Sequence, residues 1–118
     1  MDEEFEEFTE VINHNPNDAV AYKNRGNAYF DKGDYDRAIA DYDHAIRLNP
    51  DYADAYYNRG SAYINKGDYD RAIADFTQAI RLDPDDAVAY YNRGNVYRDK
   101  GDYDRAITDY DQAIRLDP

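Results

Sequence analysis

Residues 53–86 read ADAYYNRGSAYINKGDYDRAIADFTQAIRLDPDD, and this stretch decides the fold. Tyr69, Ala72, Ile73, Phe76, Ala79 and Ile80 are spaced by three, one, three, three and one residues, which places them on one face of a helix. Ala53, Tyr56, Tyr57, Gly60 and Tyr63 follow the same rule one segment earlier. Between the two runs lies Asn65-Lys66-Gly67-Asp68. Gly67 suits the left-handed end of the first helix, and Asp68 suits the N-cap of the second. Pro84 stops the second helix because its ring cannot continue the helical hydrogen bonding. The stretch therefore predicts a helix–turn–helix hairpin.

Working outward, the hairpin recurs. Pro16, Pro50, Pro84 and Pro118 stand 34 residues apart, and all six glycines keep the same interval. Residues 19–52 match residues 53–86 at 24 of 34 positions and residues 87–118 at 26 of 32, which makes the chain an internal repeat. The expected organisation is an acidic half-repeat or capping helix at 1–18, followed by repeats at 19–52, 53–86 and 87–118. The fold class is all-α, a solenoid of stacked hairpins.

The repeats resemble the tetratricopeptide repeat (TPR), whose pattern is W-x2-L-G-x2-Y, then A-x3-F, then P. The middle copy carries Tyr56, Arg59-Gly60, Tyr63, Ala72, Phe76, Ala79 and Pro84 at those places. The outer copies carry Tyr22, Arg25-Gly26, Tyr29, Ala38, Tyr42, Ala45 and Pro50, and Tyr90, Arg93-Gly94, Tyr97, Ala106, Tyr110, Ala113 and Pro118. The resemblance implies a right-handed superhelix that binds an extended peptide or a partner protein in a concave groove lined by the first helices. Two departures stand out: Tyr replaces the usual Trp, and Arg25, Arg59 and Arg93 replace Leu. An Arg near the packed face needs a partner. The invariant Asp41, Asp75 and Asp109 on the neighbouring helix are the expected ones, the alternative being a guanidinium extended along the surface into water.

The copies differ mainly along the first helix, at Val20/Asp54/Val88, Lys23/Tyr57/Tyr91, Asn27/Ser61/Asn95, Phe30/Ile64/Arg98 and Asp31/Asn65/Asp99. These positions fall largely on one stripe. A groove can vary between repeats while a core cannot, although any exposed stripe also drifts. Asn24, Asn58 and Asn92 are invariant in the stripe, and an amide can donate to and accept from a peptide backbone at once. The candidate peptide-binding set is Lys23, Asn24, Asn27, Tyr57, Asn58, Ser61, Tyr91, Asn92, Asn95 and Arg98. Tyr57 and Tyr91 are expected to make apolar contacts, with Lys23, Asn27 and Arg98 reading polar or acidic groups. By resemblance, Lys23, Asn27 and Asn58 match the carboxylate clamp of chaperone-binding members, whereas Val88 and Asn92 stand where that clamp carries cations.

Of the 118 residues, 26 are acidic and 14 are Lys or Arg, so the formal charge is −12. Residues 1–18 alone contribute −7, and the three copies contribute −1, −3 and −1. Acidity of this degree argues against nucleic acid and anionic membrane as partners. The leading acidic segment reads as a cap, or as an amphipathic segment that docks elsewhere through Phe5 and Phe8. The last copy leaves Ile107, Tyr110 and Ile114 uncovered, which predicts a stacking surface for the N-terminal helix of a next molecule, a continuation of a longer protein or a lattice neighbour; head-to-tail self-association of a structural repeat module, natural fragment or consensus-type design, is the alternative function. With no Cys, and with His14 and His44 isolated, neither a metal site nor a cofactor nor an enzyme activity is expected. Met-Asp-Glu-Glu-Phe is unlike a signal peptide, and a cytoplasmic location is expected.

Overall fold

A computed structural model describes residues 3–118, leaving the first two residues of the acidic segment outside the described part. It contains seven helices: α1 Glu3–His14, α2 Ala19–Asp31, α3 Tyr35–Leu48, α4 Ala53–Asn65, α5 Tyr69–Leu82, α6 Ala87–Asp99 and α7 Tyr103–Leu116. None of these is long and apolar enough to cross a membrane. Helices α2/α3, α4/α5 and α6/α7 form hairpins, and each later hairpin lays its first helix against the second helix of the hairpin before. The result is an all-α helical solenoid, 47 × 25 × 23 Å in extent.

The turns follow from their residues. Gly67 has φ +78°, a left-handed backbone open to glycine at no steric cost. Its N–H donates to the carbonyl of Ile64 at 2.9 Å, and the N–H of Asp68 donates to Tyr63 at 2.9 Å, closing a Schellman motif. The carboxylate of Asp68 accepts from the Arg71 N–H at 3.2 Å and caps α5. Asp31-Lys32-Gly33-Asp34 is the same device, with Asp34 accepting from the Arg37 N–H. Helix α4 departs from this habit: Tyr52 stands at its N-cap and supplies no side-chain bond, whereas Asp18 and Asp86 cap α2 and α6.

The core is made of small residues against rings. Ala38, Tyr42 and Ala62 form one buried cluster, and Ala72, Phe76 and Val96 form its counterpart one repeat later. Gly26 and Gly60 permit the close approach. A Cβ on Gly26 would meet the Tyr42 ring at 2.7 Å, and one on Gly60 would meet Phe76 and the Ala72 carbonyl at 3.2 and 3.3 Å. Ile12 of α1 joins Ala21, Tyr22, Ala45 and Ala55, so α1 is packed onto α2.

Candidate functional site

The face carried by α2, α4 and α6 is held in place by buried Arg–Asp pairs behind it. Arg59 donates through Nε and Nη2 to both oxygens of Asp75, at 2.8 and 2.7 Å. Arg25–Asp41 and Arg93–Asp109 repeat this fork at 2.7–2.8 Å. The extended-guanidinium alternative is thereby excluded. Arg59 reaches further than the sequence predicts, because its Nη1 also donates to Asp43 of the preceding hairpin at 2.8 Å. Arg93 reaches Thr77 in the same way at 3.2 Å. Hydrogen bonding to Asp75 raises the Arg59 pKa against the opposing effect of burial. Burial pushes the Asp75 carboxyl above its usual range, with Arg59 pulling it back.

On the face itself, six of the ten candidate residues line two concavities, and Lys23, Asn24, Tyr57 and Asn92 line neither. The first, of about 310 Å³, is lined by Asn27, Phe30, Asp31, Tyr42, Asn58 and Ser61. The second, of about 490 Å³, lies between α6 and α7, where Val88, Tyr91, Asn95 and Arg98 face Tyr110 and Ile114. Four of the six residues around the first are Asn, Asp or Ser, beside the rings of Phe30 and Tyr42, whereas the second is rich in apolar side chains. Tyr91 is 53% exposed and Val88 57%, large apolar groups that the packed core does not use. Lys23 stands apart from both, with its Nζ 5.6 Å from the Tyr52 ring centre. Tyr52, Phe30 and Tyr42 were not among the expected site residues. Tyr52 is signalled only by being the one exception to the Asp caps.

Several candidate side chains also hold the repeats together. Asn58 donates through Nδ2 to Oδ1 of Asn27 at 3.1 Å, which ties α4 to α2. Asn92 donates to the hydroxyl of Tyr57, which ties α6 to α4. Asn27 and Asn95 accept from the hydroxyls of Tyr42 and Tyr110, each at 2.6 Å. Ser61 donates to the carbonyl of Tyr57 within its own helix at 3.3 Å. Tyr57 packs edge-on to Phe76, and burial, then Asp86, raises its pKa against the hydrogen bond from Asn92. Arg98 lies against Asp99 at 3.3 Å. The described bonds of Asn58 and Asn92 use the side-chain nitrogen, and the amide oxygen of each is its acceptor group.

Of the expected stacking residues, Ile107 and Ile114 are 57% and 62% exposed. Tyr110 is instead half-buried beneath Tyr91, with ring centres 5.7 Å apart. His44 is half-buried and stacks on Tyr22 with ring centres 4.1 Å apart. Among the described residues no three His, Asp or Glu converge as a metal site.

A family model described as a tetratricopeptide repeat matches residues 59–118, another of that description matches residues 7–40, and one described as a TPR repeat matches residues 26–67. Among solved structures, the chain is similar to the crystal structure of MamA, at 32% identity and a TM-score of 0.92, covering 95% of this chain and 66% of that one. A second MamA crystal structure gives 32% identity and a TM-score of 0.90, with 61% of that chain covered. The chain thus spans just under two thirds of the MamA chains it resembles. It is also similar to the second TPR of Spaghetti (RPAP3) bound to the HSP90 peptide SRMEEVD, at 34% identity and a TM-score of 0.81, covering 84% of this chain and 92% of that one. No curated protein sequence matches the chain.

Proposed function

The chain belongs to the tetratricopeptide-repeat family, a module of protein–protein interaction, and from that premise we propose that it binds an extended segment of a partner protein across the face of α2, α4 and α6. The observation that carries this reading is the open apolar concavity between α6 and α7, where exposed Val88 and Tyr91 border Tyr110 and Ile114. Exposed apolar surface of this kind marks interaction sites on soluble folds. Asn58 and Asn92 lie up the same face and offer side-chain oxygens to the N–H groups of an extended chain.

The partner segment is anchored by apolar side chains rather than by acids. One structural relative is bound to SRMEEVD, a peptide rich in carboxylates. Here Val88 and Asn92 stand where the resembling clamp has cations, and Arg98 is engaged by Asp99. Lys23 is left as the one candidate cation at the opposite end of the face. The array is itself net acidic, so a carboxylate-rich segment would meet repulsion along its length.

The test is to pan a random peptide library against the immobilised chain and measure the enriched peptides by fluorescence anisotropy. Tyr91→Ala is expected to weaken them about tenfold, with the thermal transition unchanged because Tyr91 is half exposed. Peptides that bind the wild type and Tyr91→Ala equally, or a panning that enriches nothing, would overturn the reading.

A further inference from the structure

Helix α1 carries the apolar pattern of α7. Aligned on Pro16 and Pro118, Phe5 corresponds to Ile107, Phe8 to Tyr110 and Ile12 to Ile114. Phe5 and Ile12 are 5% and 7% exposed against α2, whereas Ile107 and Ile114 are 57% and 62% exposed. One surface is satisfied at the start of the array and open at its end. The interior junctions show what closes it: Ile80, the equivalent of Ile114 on α5, falls to 8% exposure where α6 lies against it. The covering helix offers Ala89, Asn92 and Val96 in that junction and Ala55, Asn58 and Ala62 in the one before. Helix α2 offers the same pattern as Ala21, Asn24 and Ala28.

We propose that α7 of one copy stacks on α2 of a second copy in the place held there by α1, so that α1 is a removable cap and the chain grows head to tail. Stacking of this kind competes with peptide binding, because Tyr91, Asn95 and Ile114 line the concavity and would also meet the second copy. It commits to a second copy because the polar groups match as well as the apolar ones. Asn58 and Asn92 each donate to a first helix of the preceding hairpin, to Asn27 and Tyr57 respectively. Among the described residues no first helix stands before α1 to meet Asn24 in this way. A stacked copy would supply one, with Tyr91 and Asn95 at the positions of Tyr57 and Asn27.

The charges agree. Lys66 pairs with Asp36 and Lys100 with Asp70 across the two interior junctions. The equivalent pair across a stacked junction is Lys32 with Asp104. Arg59 reaches Asp43, and the equivalent reach for Arg25 is Asp111. On α1 that position is Thr9, which cannot form the ion pair. A heterologous contact of this kind, repeated without closure, builds open filaments.

The cap sets the threshold. An intramolecular helix acts at a high effective concentration, and the apparent association weakens by the fraction of chains whose α2 is uncovered. Sedimentation velocity on the full chain up to about 1 mM, the scale on which a tethered cap competes, is the direct test. Phe5→Ser with Ile12→Ser loosens α1 and is expected to lower the apparent dissociation constant about tenfold. Adding Ile114→Asp, at an exposed position, should return the chain to monomer. Asp104→Lys should weaken association, and combining it with Lys32→Glu should restore it. Hydrogen exchange should show α1 amides losing protection in the oligomer. If loosening the cap unfolds the chain, the wild type and Ile114→Asp alone decide, the former associating at the top of the range and the latter remaining monomeric. A strict monomer throughout, association indifferent to Ile114→Asp, or an α1 that stays protected in the oligomer would each overturn the proposal.

Discussion

The hydroxyl of Tyr42 donates a 2.6 Å hydrogen bond to Oδ1 of Asn27, and Tyr110 repeats it with Asn95 at 2.6 Å. The middle repeat has Phe76 and Ser61 at the same two places. The hydroxyl and the amide are therefore present together or absent together. The tie to the next helix changes with them: Asn58 donates to Asn27 where the amide is present, and Asn92 donates to Tyr57 where it is not. Variation at Asn27/Ser61/Asn95 tracks the packing behind the face, which is a different cause from tuning to a ligand.

The pair should behave as a unit. Tyr42→Phe and Asn27→Ser are each expected to destabilise the chain by about 1 kcal/mol, the usual net worth of such a bond. Their combination should cost less than the sum, by about 0.5–1 kcal/mol, because either change alone already removes the bond. Urea denaturation of the four chains measures the coupling. Strict additivity would show that the two side chains do not communicate.

The Tyr42 hydroxyl also sets a pH limit. Burial, with Asp31 and Asp41 acting in the same direction, raises its pKa, and burial raises that of Tyr57. A phenol whose pKa is higher in the folded chain contributes stability in full below its unfolded pKa, and that stability is lost as pH rises through the folded value. Above neutral pH, thermal transitions should therefore hold steady to about pH 10 and fall beyond it, in step with tyrosinate absorbance. Tyr42→Phe should make the alkaline fall shallower, and an unchanged slope would assign it elsewhere.

Local interactions in this chain are legible from sequence, and interactions that depend on two neighbouring repeats are not. Gly67, Asp68 and Pro84 announce one hairpin because each acts within a few residues of itself. The Arg59–Asp75 fork is legible because it is invariant and close in the hairpin. The bond from Arg59 to Asp43 is hidden, since the third repeat has Thr77 in that role for Arg93. Asn58 and Asn92 look like equivalent ligands by identity, yet their partners differ because Asn27 gives way to Ser61 and Lys23 to Tyr57 in the preceding helix. His44 aligns with Gln78 and Gln112, and nothing in that alignment reveals the Tyr22 ring it stacks on.

Of the three glycines at the hairpin crossings, Gly26 and Gly60 should respond unequally to alanine. In both, alanine gains about 1 kcal/mol of helix propensity. At Gly26 the new Cβ lies 2.7 Å from the ring of Tyr42, which is 1% exposed and tethered by its hydroxyl. At Gly60 the nearest atoms are 3.2–3.3 Å away. Gly26→Ala is thus expected to lose about 1–3 kcal/mol through overpacking, and Gly60→Ala to change stability less. Equal effects in urea denaturation would show that the Tyr42 ring can move aside.

Arg59→Leu restores the residue usual at its place in the family pattern and should nevertheless destabilise this chain. Asp75 is only 4% exposed, and its carboxylate would lose both hydrogen bonds of the fork. Removing one partner of such a pair costs about 3–5 kcal/mol because a buried charge is left uncompensated. Burial already pushes the Asp75 carboxyl upward, and Arg59 is what opposes it. In Arg59→Leu the folded carboxyl should therefore titrate higher still. A carboxyl with a raised folded pKa is a penalty at neutral pH that disappears as pH falls through that value towards the ordinary one. The variant should gain stability relative to wild type between about pH 7 and pH 4. Asp75→Asn in the same background should remove that pH dependence, since no proton is left to bind at that site. Parallel Tm–pH curves for wild type and Arg59→Leu would mean that Asp75 finds water or another cation when Arg59 is gone.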